Sequence, residues 1–491
     1  MRRGRRRSGR FEAQLRYRGG SNNLQGDIRR IHFIGIGGSG MSGVAELLVK
    51  MGYAVSGSDL QQSEATERLA SLGVRVFRGH AAAHVSDADV VVVSSAVRSP
   101  NPEMLEAERR QIPLIPRGEM LAELMRQHAG IAVAGAHGKT TTTSMIALSL
   151  EYAGWDPTAV IGGRFGAFGS NARLGRGEWM IAEADESDRS FLRLSPTIAV
   201  ITNIDYEHLE AYDSFEDLQQ AFVEFANRVP SHGAVVLCAD DRHVRAIRPS
   251  VTRRVVTYGL DIEADFTARD IVLDRLRGSC EVRRRAVESR TGLASDRAVG
   301  RIELSVPGRH NLQNALAAVA VGTELGIPWE TLAQALATFR GPDRRFQVMG
   351  EEHGVTVVDD YGHHPTEIRA VLAAARAQHP RRLIVVFQPH RYTRTRQLLH
   401  SFGDVLAGAD EVVLTDIYAA GEDPIAGVTI DALADAVRAA GHRDVHVVPS
   451  LADVPAYITA GARAGDMVVM LGAGSIGAWG PRVLAALRER G

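Results

Sequence analysis

Apolar residues along this chain come in short runs separated by stretches of helical spacing. Arg30 to Ile36 reads as a strand, Met41 to Met51 as a helix and Ala54 to Ser58 as a second strand, which is a βαβ beginning. Strand-like runs at Val74 to Phe77 and Val90 to Ser94 continue the alternation, and Pro100, Pro102, Pro113 and Pro116 punctuate the next segment. A helix predicted over about 118–128 leads away. A second series starts with the strand Ile131 to Ala134 and a helix from Thr140 to about Ala153. Strands come next at Trp179 to Ala182, Ile198 to Thr202 and Ala234 to Leu237. Residues 253–282 lean towards strand, the arginine-rich passage 283–301 reads as a loop, and Asn311 to Leu325 reads as a helix ending before Gly341-Pro342. A third series places strands at Val355 to Val358, Leu383 to Phe387, Glu411 to Thr415, Val445 to Val448 and Met467 to Leu471. Strands alternating with helices predict an α/β fold with parallel sheets. The breaks divide it into a basic tail (1–27) and three domains (28–127, 128–342 and 343–491).

Length agrees with that division, because 491 residues exceed one ordinary core of about 100 to 200 residues. The longest apolar runs, such as Val90 to Val93, are far short of the ~20 residues a spanning helix needs, so no membrane insertion is expected. A net charge of −1 offers no global field for nucleic acid, and any anion site has to be built locally. Only Cys238 and Cys280 are present, which fits a reducing cytoplasm. Six arginines among the first ten residues, with no apolar stretch after them, predict a disordered arm. Of the 57 basic residues only Lys50 and Lys139 are lysines. Where a chain so poor in lysine still uses one, a compact ammonium rather than a planar fork is called for.

Two glycine loops carry the clearest chemistry. Gly35-x-Gly37-Gly38-Ser39-Gly40 comes after the first strand and opens a helix, with Asp59 about twenty residues on, which is the form of a dinucleotide fingerprint. The glycines respond to phosphate and not to base, so nicotinamide dinucleotide and other pyrophosphate ligands stay open at this point. Ser94 and Ser95, at the end of a later strand, line the same crevice. The second loop, Gly135-Ala136-His137-Gly138-Lys139-Thr140-Thr141, also joins a strand to a helix. It is a shortened P-loop, because Val133 stands where the first Walker glycine belongs. Lys139 is expected at the β- and γ-phosphates of a nucleotide and the Thr140 hydroxyl on Mg²⁺.

Carboxylates, imidazoles and arginines gather after other strands of these series at Glu183 to Asp188, Asn203 to His208, Asp359 to His364 and Gln388 to Arg394, and Arg344-Arg345 opens the third segment. In parallel sheets these loops leave at the carboxyl edge, where ligands bind.

GIGGSGMSG (35–43), GAHGKTTTT (135–143), EADESD (183–188), HNLQN (310–314), DDYGHHPTE (359–367) and FQPHRYTRT (387–395), in this order, resemble the Mur ligase family of ATP-dependent amide-bond formers from about Ile31 onward. The resemblance implies a Rossmann-like N-terminal domain for a UDP-sugar, a central P-loop ATPase domain and a Rossmann-like C-terminal domain for an amino acid. It turns the first loop, with Gly37, Gly38, Ser39, Gly40, Asp59, Ser94 and Ser95, into a uridine diphosphate site. It implies ATP on Gly135 to Thr141, with Asn311, Asn314 and Arg345 also contacting the nucleotide. Metal ligands would be Thr140, Glu183 and His208, and Lys139, Glu183, His208, Arg345, Asp360 and His363 would carry catalysis. Tyr361, His363, His390, Arg391 and Arg394 would face substrate. The activity implied is the cytoplasmic joining of L-alanine to the lactyl carboxylate of UDP-N-acetylmuramate through an acyl phosphate, a step of peptidoglycan synthesis. A sister ligase that adds a recycled peptide to the same substrate is the nearest rival, and Tyr361-Gly362 with residues 388–394 favours alanine. A nicotinamide oxidoreductase would leave Lys139 unexplained. Two departures stand out: Glu207-His208 replaces the usual Asp-His pair, and with no lysine after Lys139 the carbamylated lysine of several sister ligases is absent.

Overall fold

The structure is a computed structural model and describes residues 28–207, 211–287 and 294–490. The expected tail and His208 lie outside the described residues. The chain packs as two compact units, one of residues up to 163 with 170–258 and 317–332, the other of 164–169, 259–316 and 333–491.

The first unit holds two sheets. β1 (Arg30–Ile34), β2 (Ala54–Asp59), β3 (Arg75–Arg78), β4 (Val90–Val93) and β5 (Leu114–Pro116) pair in parallel in the order β3-β2-β1-β4-β5. Connecting them are α1 (Ser39–Lys50), α2 (Glu64–Ser71) and α3 (Pro102–Arg109); α4 (Arg117–Met125) leads out. The strand order reverses between β1 and β4, so a crevice opens beyond their carboxyl ends. Asn101 caps α3 by accepting from the backbone of Glu103 and Met104, with Pro102 at the first helical position.

In the second sheet of this unit β6 (Ala129–Ala134) is central. Parallel neighbours flank it: β10 (Ile198–Ile201) on one side and β9 (Trp179–Glu183) on the other. Beyond β10 come β11 (Ala234–Cys238) and β12 (Val255–Gly259), and beyond β9 come β7 (Thr158–Phe165) and β8 (Ser170–Arg173). Every residue of β10 and β11 is buried, as expected of parallel strands covered on both faces. α5 (Lys139–Tyr152), α6 (Phe215–Asn227) and α7 (Arg242–Ile247) provide cover. One apolar core runs through both sheets, from Phe33 and Leu48 to Met180 and Phe222.

The second unit contains an antiparallel group, β13 (Phe266–Asp274), β14 (Arg277–Val287) and β15 (Ala294–Leu304). This corrects the loop expected over 283–301, since Arg283 to Val287 pair with Ala294 to Ala298 and the chain continues as strand to Leu304. Arg284 and Arg285 are exposed, so this part of the ladder faces water and shows no apolar alternation to read. α8 (Arg309–Glu324) and α9 (Trp329–Thr338) come after it.

The last sheet has the order β16-β17-β21-β18-β19-β20, from β16 (Gln347–Glu352), β17 (Val355–Asp360), β18 (Leu383–Phe387), β19 (Glu411–Leu414), β20 (Val445–Val447) and β21 (Met467–Leu471). Only the edge strand β16 is antiparallel, and the sequence pattern does not predict it. Helices α10 (Pro365–Arg376), α11 (Tyr392–Gln397), α12 (Leu399–Leu406), α13 (Ile430–Ala439), α14 (Val454–Gly461) and α15 (Gly480–Glu489) complete it. Separate apolar cores cover the two faces, one around Phe387 and Phe402 and one around Val386 and Ile458. No described helix is long and apolar enough to cross a membrane.

Candidate active site

The P-loop leaves β6 through Gly135 at φ +129° and enters α5 through Gly138 at φ +80°, backbone that side chains other than glycine rarely adopt. A Cβ on Gly135 would stand 2.2 Å from the Thr202 hydroxyl. Asn203, after β10, ties the loop down: its Oδ1 accepts from the His137 N–H at 2.7 Å and its Nδ2 donates to the His137 carbonyl at 2.9 Å. The His137 ring lies 3.0 Å from Asp205.

Lys139 curls back over this loop. Its ammonium donates to the Gly135 carbonyl at 2.6 Å and to both Glu186 oxygens at 2.9 Å. Burial opposes the charge, but Glu186, Glu183 and Asp185 hold the Lys139 ammonium well above its ordinary range. Burial in turn pushes the Glu186 carboxyl up to about 7, against the pull of Lys139. Thr140 donates its hydroxyl to Glu183 Oε2 at 2.9 Å, and the Gly162 N–H donates to the same oxygen at 3.0 Å. Lys139, Thr140 and Glu183, predicted from separate motifs, are therefore brought together. A hydroxyl and a carboxylate beside a phosphate loop are hard oxygen donors of the kind Mg²⁺ takes.

In the first sheet, Asp59 at the end of β2 accepts from the Gly37 N–H at 2.9 Å, so its carboxylate shapes the glycine loop itself. Ser94 comes after β4 and packs against Gly35, where a Cβ would stand 3.1 Å from its own. Gly38, Ser39 and Gly40 form the entrance to α1, with exposed Ser95 beyond β4 at the same edge. The sequence motifs do not include Arg117, the first residue of α4, which donates to Asp185 Oδ2 at 2.9 Å and whose guanidinium lies against Gly40. Its place directly after β5 was the available signal, masked by the abundance of arginine.

The second unit gathers the remaining candidates after β17 and β18. Asp360 is buried and accepts from the Phe346 and Gly362 N–H groups, both at 2.7 Å; burial lifts its carboxyl to about 6 in spite of Arg345. The Arg345 guanidinium stands 5.2 Å from the Tyr361 ring centroid. His363 lies edge-on to Tyr361 at 5.3 Å and 5.8 Å from the His390 ring. Burial, then the charges of His363, Arg394 and Arg391, push His390 down to about 3, and its buried Nδ1 has no hydrogen-bond partner among the described residues. Tyr418, not foreseen, stacks on His390 at 5.5 Å. Arg391 holds φ +71° at the start of α11, its N–H donating to the Tyr418 carbonyl. Asn311 and Asn314 lie together at the start of α8, 3.4 Å apart, with Asn311 Nδ2 on the Pro307 carbonyl.

Known proteins are similar to this chain in sequence and fold. Residues 30–129 match the Mur ligase family, catalytic domain; residues 133–322 match the Mur ligase middle domain; residues 344–474 match the Mur ligase, glutamate ligase domain. A UDP-N-acetylmuramate–L-alanine ligase of Anaeromyxobacter sp. (strain Fw109-5) is 55% identical over 458 residues, covering 93% of this chain and 98% of the relative. The crystal structure of a UDP-N-acetylmuramate-alanine ligase from Thermotoga maritima superposes with TM-score 0.80 at 30% identity, over 94% of this chain and 100% of that one. A murein peptide ligase from Psychrobacter arcticus superposes with TM-score 0.70 at 25% identity, over 94% and 98%. With its three domains matched in order, the chain belongs to the Mur ligase family.

Proposed function

We propose that the chain is an ATP-dependent ligase that joins L-alanine to the lactyl carboxylate of UDP-N-acetylmuramate, in the cytoplasm, as a step of peptidoglycan synthesis. The observation that carries the reading is the joint placement of Lys139, Thr140 and Glu183 at a phosphate loop, in a chain 55% identical to an alanine-adding ligase over nearly its whole length. Among solved structures the likeness to an alanine ligase, 30% identity with TM-score 0.80, exceeds that to a murein peptide ligase, 25% with TM-score 0.70, so alanine is preferred to a recycled peptide.

A carboxylate is a poor electrophile, so it must first be activated. In this reading its oxygen attacks the γ-phosphorus of ATP, ADP leaves, and the acyl phosphate that results is opened at its carbonyl carbon by the neutral alanine amine, releasing phosphate. Lys139 enters this sequence already charged and positioned by Glu186; phosphate oxygens take over from that carboxylate, so the ammonium needs little rearrangement to stabilise the terminal phosphoryl group. Thr140 and Glu183 fit Mg²⁺, with His208 as a further ligand, and the ion would supply charge neutralisation at the phosphates. Asn311, Asn314 and Arg345 are assigned to the nucleotide, and Gly37 to Gly40, Asp59, Ser94 and Ser95 to the UDP-sugar. Tyr361, His363, His390, Arg391 and Arg394 are assigned to the incoming amino acid, with Asp360 fixing the backbone of Phe346 and Gly362 beneath them. His390, with its pKa near 3, is a hydrogen-bond partner and not the base that keeps the amine's proton.

The test is phosphate release from ATP with UDP-N-acetylmuramate and either L-alanine or the tripeptide L-alanyl-γ-D-glutamyl-meso-diaminopimelate. Release with alanine is expected. Release with the tripeptide alone would transfer the chain to the sister activity.

A further inference from the structure

Arg117 touches both the first glycine loop's helix and the acidic loop of the phosphate site. It stands at the head of α4, directly after Pro116, the last residue of β5. A Cβ on Gly40 would fall 2.9 Å from Arg117 Nη1 and 3.2 Å from its Cζ, so the guanidinium lies on the first turn of α1. At the other end Nη2 donates to Asp185 at 2.9 Å. Asp185 is two residues from Glu183 and adjacent to Glu186, which grips Lys139. Burial opposes ionisation of Asp185, and Arg117 first, then Lys139, keep its carboxyl below the ordinary value.

A guanidinium carries five N–H donors. Arg117 is mostly buried, yet only Nη2 is committed to a protein acceptor among the described residues, and none of its nitrogens is sealed away unsatisfied. Its neighbours differ: Arg68 donates to Asn171 and pairs with Glu46, and Asn171 donates to the Ser39 carbonyl and the Ser42 hydroxyl. A partly desolvated cation with spare donors, laid on the turn where backbone N–H groups and the helix dipole favour an anion, is built to receive one.

We propose that Arg117 is the side chain that senses the diphosphate of the sugar nucleotide and, through Asp185, sets the loop that positions Glu183 and Glu186 around the phosphate site. With the diphosphate bound, its free donors engage phosphate oxygens on one side while the Asp185 pair holds on the other. Loading of the first nucleotide site is thereby coupled to affinity for the second. Arg117 is a binding residue for UDP and a positioning residue for ATP. The proposal rests on the reading of the glycine loop as a uridine diphosphate site.

The test measures binding of UDP, uridine and ADP by calorimetry to the full chain and to its Arg117→Ala and Arg117→Lys variants, with ADP titrated in the absence and presence of saturating UDP. In the unaltered protein UDP should tighten ADP binding. Arg117→Ala should weaken UDP by about 10- to 100-fold, the range for charge-assisted hydrogen bonds, leave uridine within about twofold, and abolish the effect of UDP on ADP. Arg117→Lys keeps the charge but not a two-sided fork, so it should retain part of the UDP affinity and lose the coupling. It also serves if the alanine variant fails to fold. Unchanged UDP affinity, equal losses for uridine and UDP, or coupling that persists without the guanidinium would overturn the proposal. Phosphate release by the unaltered protein with UDP-N-acetylmuramate and alanine reports separately on the underlying reading.

Discussion

Gly162→Ala is a one-methyl test of the phosphate site. The new Cβ would stand 2.3 Å from Glu183 Oε2, 2.6 Å from Oε1 and 2.7 Å from Cδ. Ordinary contact requires roughly 3.3 Å or more, so the carboxylate has to retreat by about 1 Å. That carries Oε2 from 2.9 Å to beyond hydrogen-bond range of Thr140 and breaks its 3.0 Å bond to the residue 162 N–H. The displaced group is the end of a flexible side chain, and two lost hydrogen bonds with slight overpacking should cost about 1–3 kcal/mol of stability. Turnover should suffer more: removing one preorganised electrostatic group typically costs about 100-fold or more, roughly 3 kcal/mol of barrier. Gly163→Ala is the control, because its Cβ meets only the Thr140 methyl at 3.6 Å. Phosphate release under saturating substrates and thermal unfolding would be measured on both. A Gly162→Ala protein that turns over within about threefold of the original would refute the placement of Glu183 in the catalytic site. Comparable losses in the Gly163→Ala control would refute the steric argument.

Two further outcomes are expected. Lys139→Arg should reduce kcat by at least ~100-fold although charge is kept, because the pocket formed by the Gly135 and Ala136 carbonyls and the Glu186 carboxylate fits a compact ammonium; near-normal turnover would make Lys139 incidental. Burial opposes ionisation of Glu103 in the first sheet's domain, yet the nearby His32 imidazole, 3.6 Å away, and the hydrogen bonds with Ser58 and His84 bring its pKa down from 4.5 to about 2. A depressed acid contributes stability that is present above the unfolded value and lost as pH falls through the folded one. In urea unfolding, Glu103→Gln should therefore be less stable by roughly 3 kcal/mol near neutrality, with the gap closing between pH 4.5 and 2; a gap constant with pH would contradict this.

How much of the fold and the site was legible in the sequence depends on what each residue must satisfy. Buried parallel strands such as Ile198–Ile201 announce themselves as continuous apolar runs, and the loops with Gly37 and Lys139 do so through residue types that phosphate binding requires. The strand pairing within 283–301 was hidden because the exposed part of the ladder carries arginines, such as Arg284 and Arg285, on positions that face water. β16 was hidden because an edge strand buries too little to impose a pattern. Within the site, Lys139, Glu183 and Asp360 were legible from their motifs, but Glu186 as the lysine's partner, Asn203 as the loop's anchor and Arg117 were not. Each of these acts through a contact across at least 47 residues of sequence, and nothing local in the chain records such a pairing.

The central claim is that the lactyl carboxylate itself attacks the γ-phosphate of ATP, and oxygen labelling tests it most directly. UDP-N-acetylmuramate carrying heavy oxygen in that carboxylate is incubated with the protein, ATP and L-alanine, and the phosphate and nucleotide products are analysed by mass spectrometry. Because an acyl phosphate opens at its carbonyl carbon, one labelled oxygen should appear in each phosphate released, with ADP as the only adenine nucleotide formed. Unlabelled phosphate, or label recovered in AMP with pyrophosphate released, would contradict the route and the roles given to Lys139, Thr140 and Glu183.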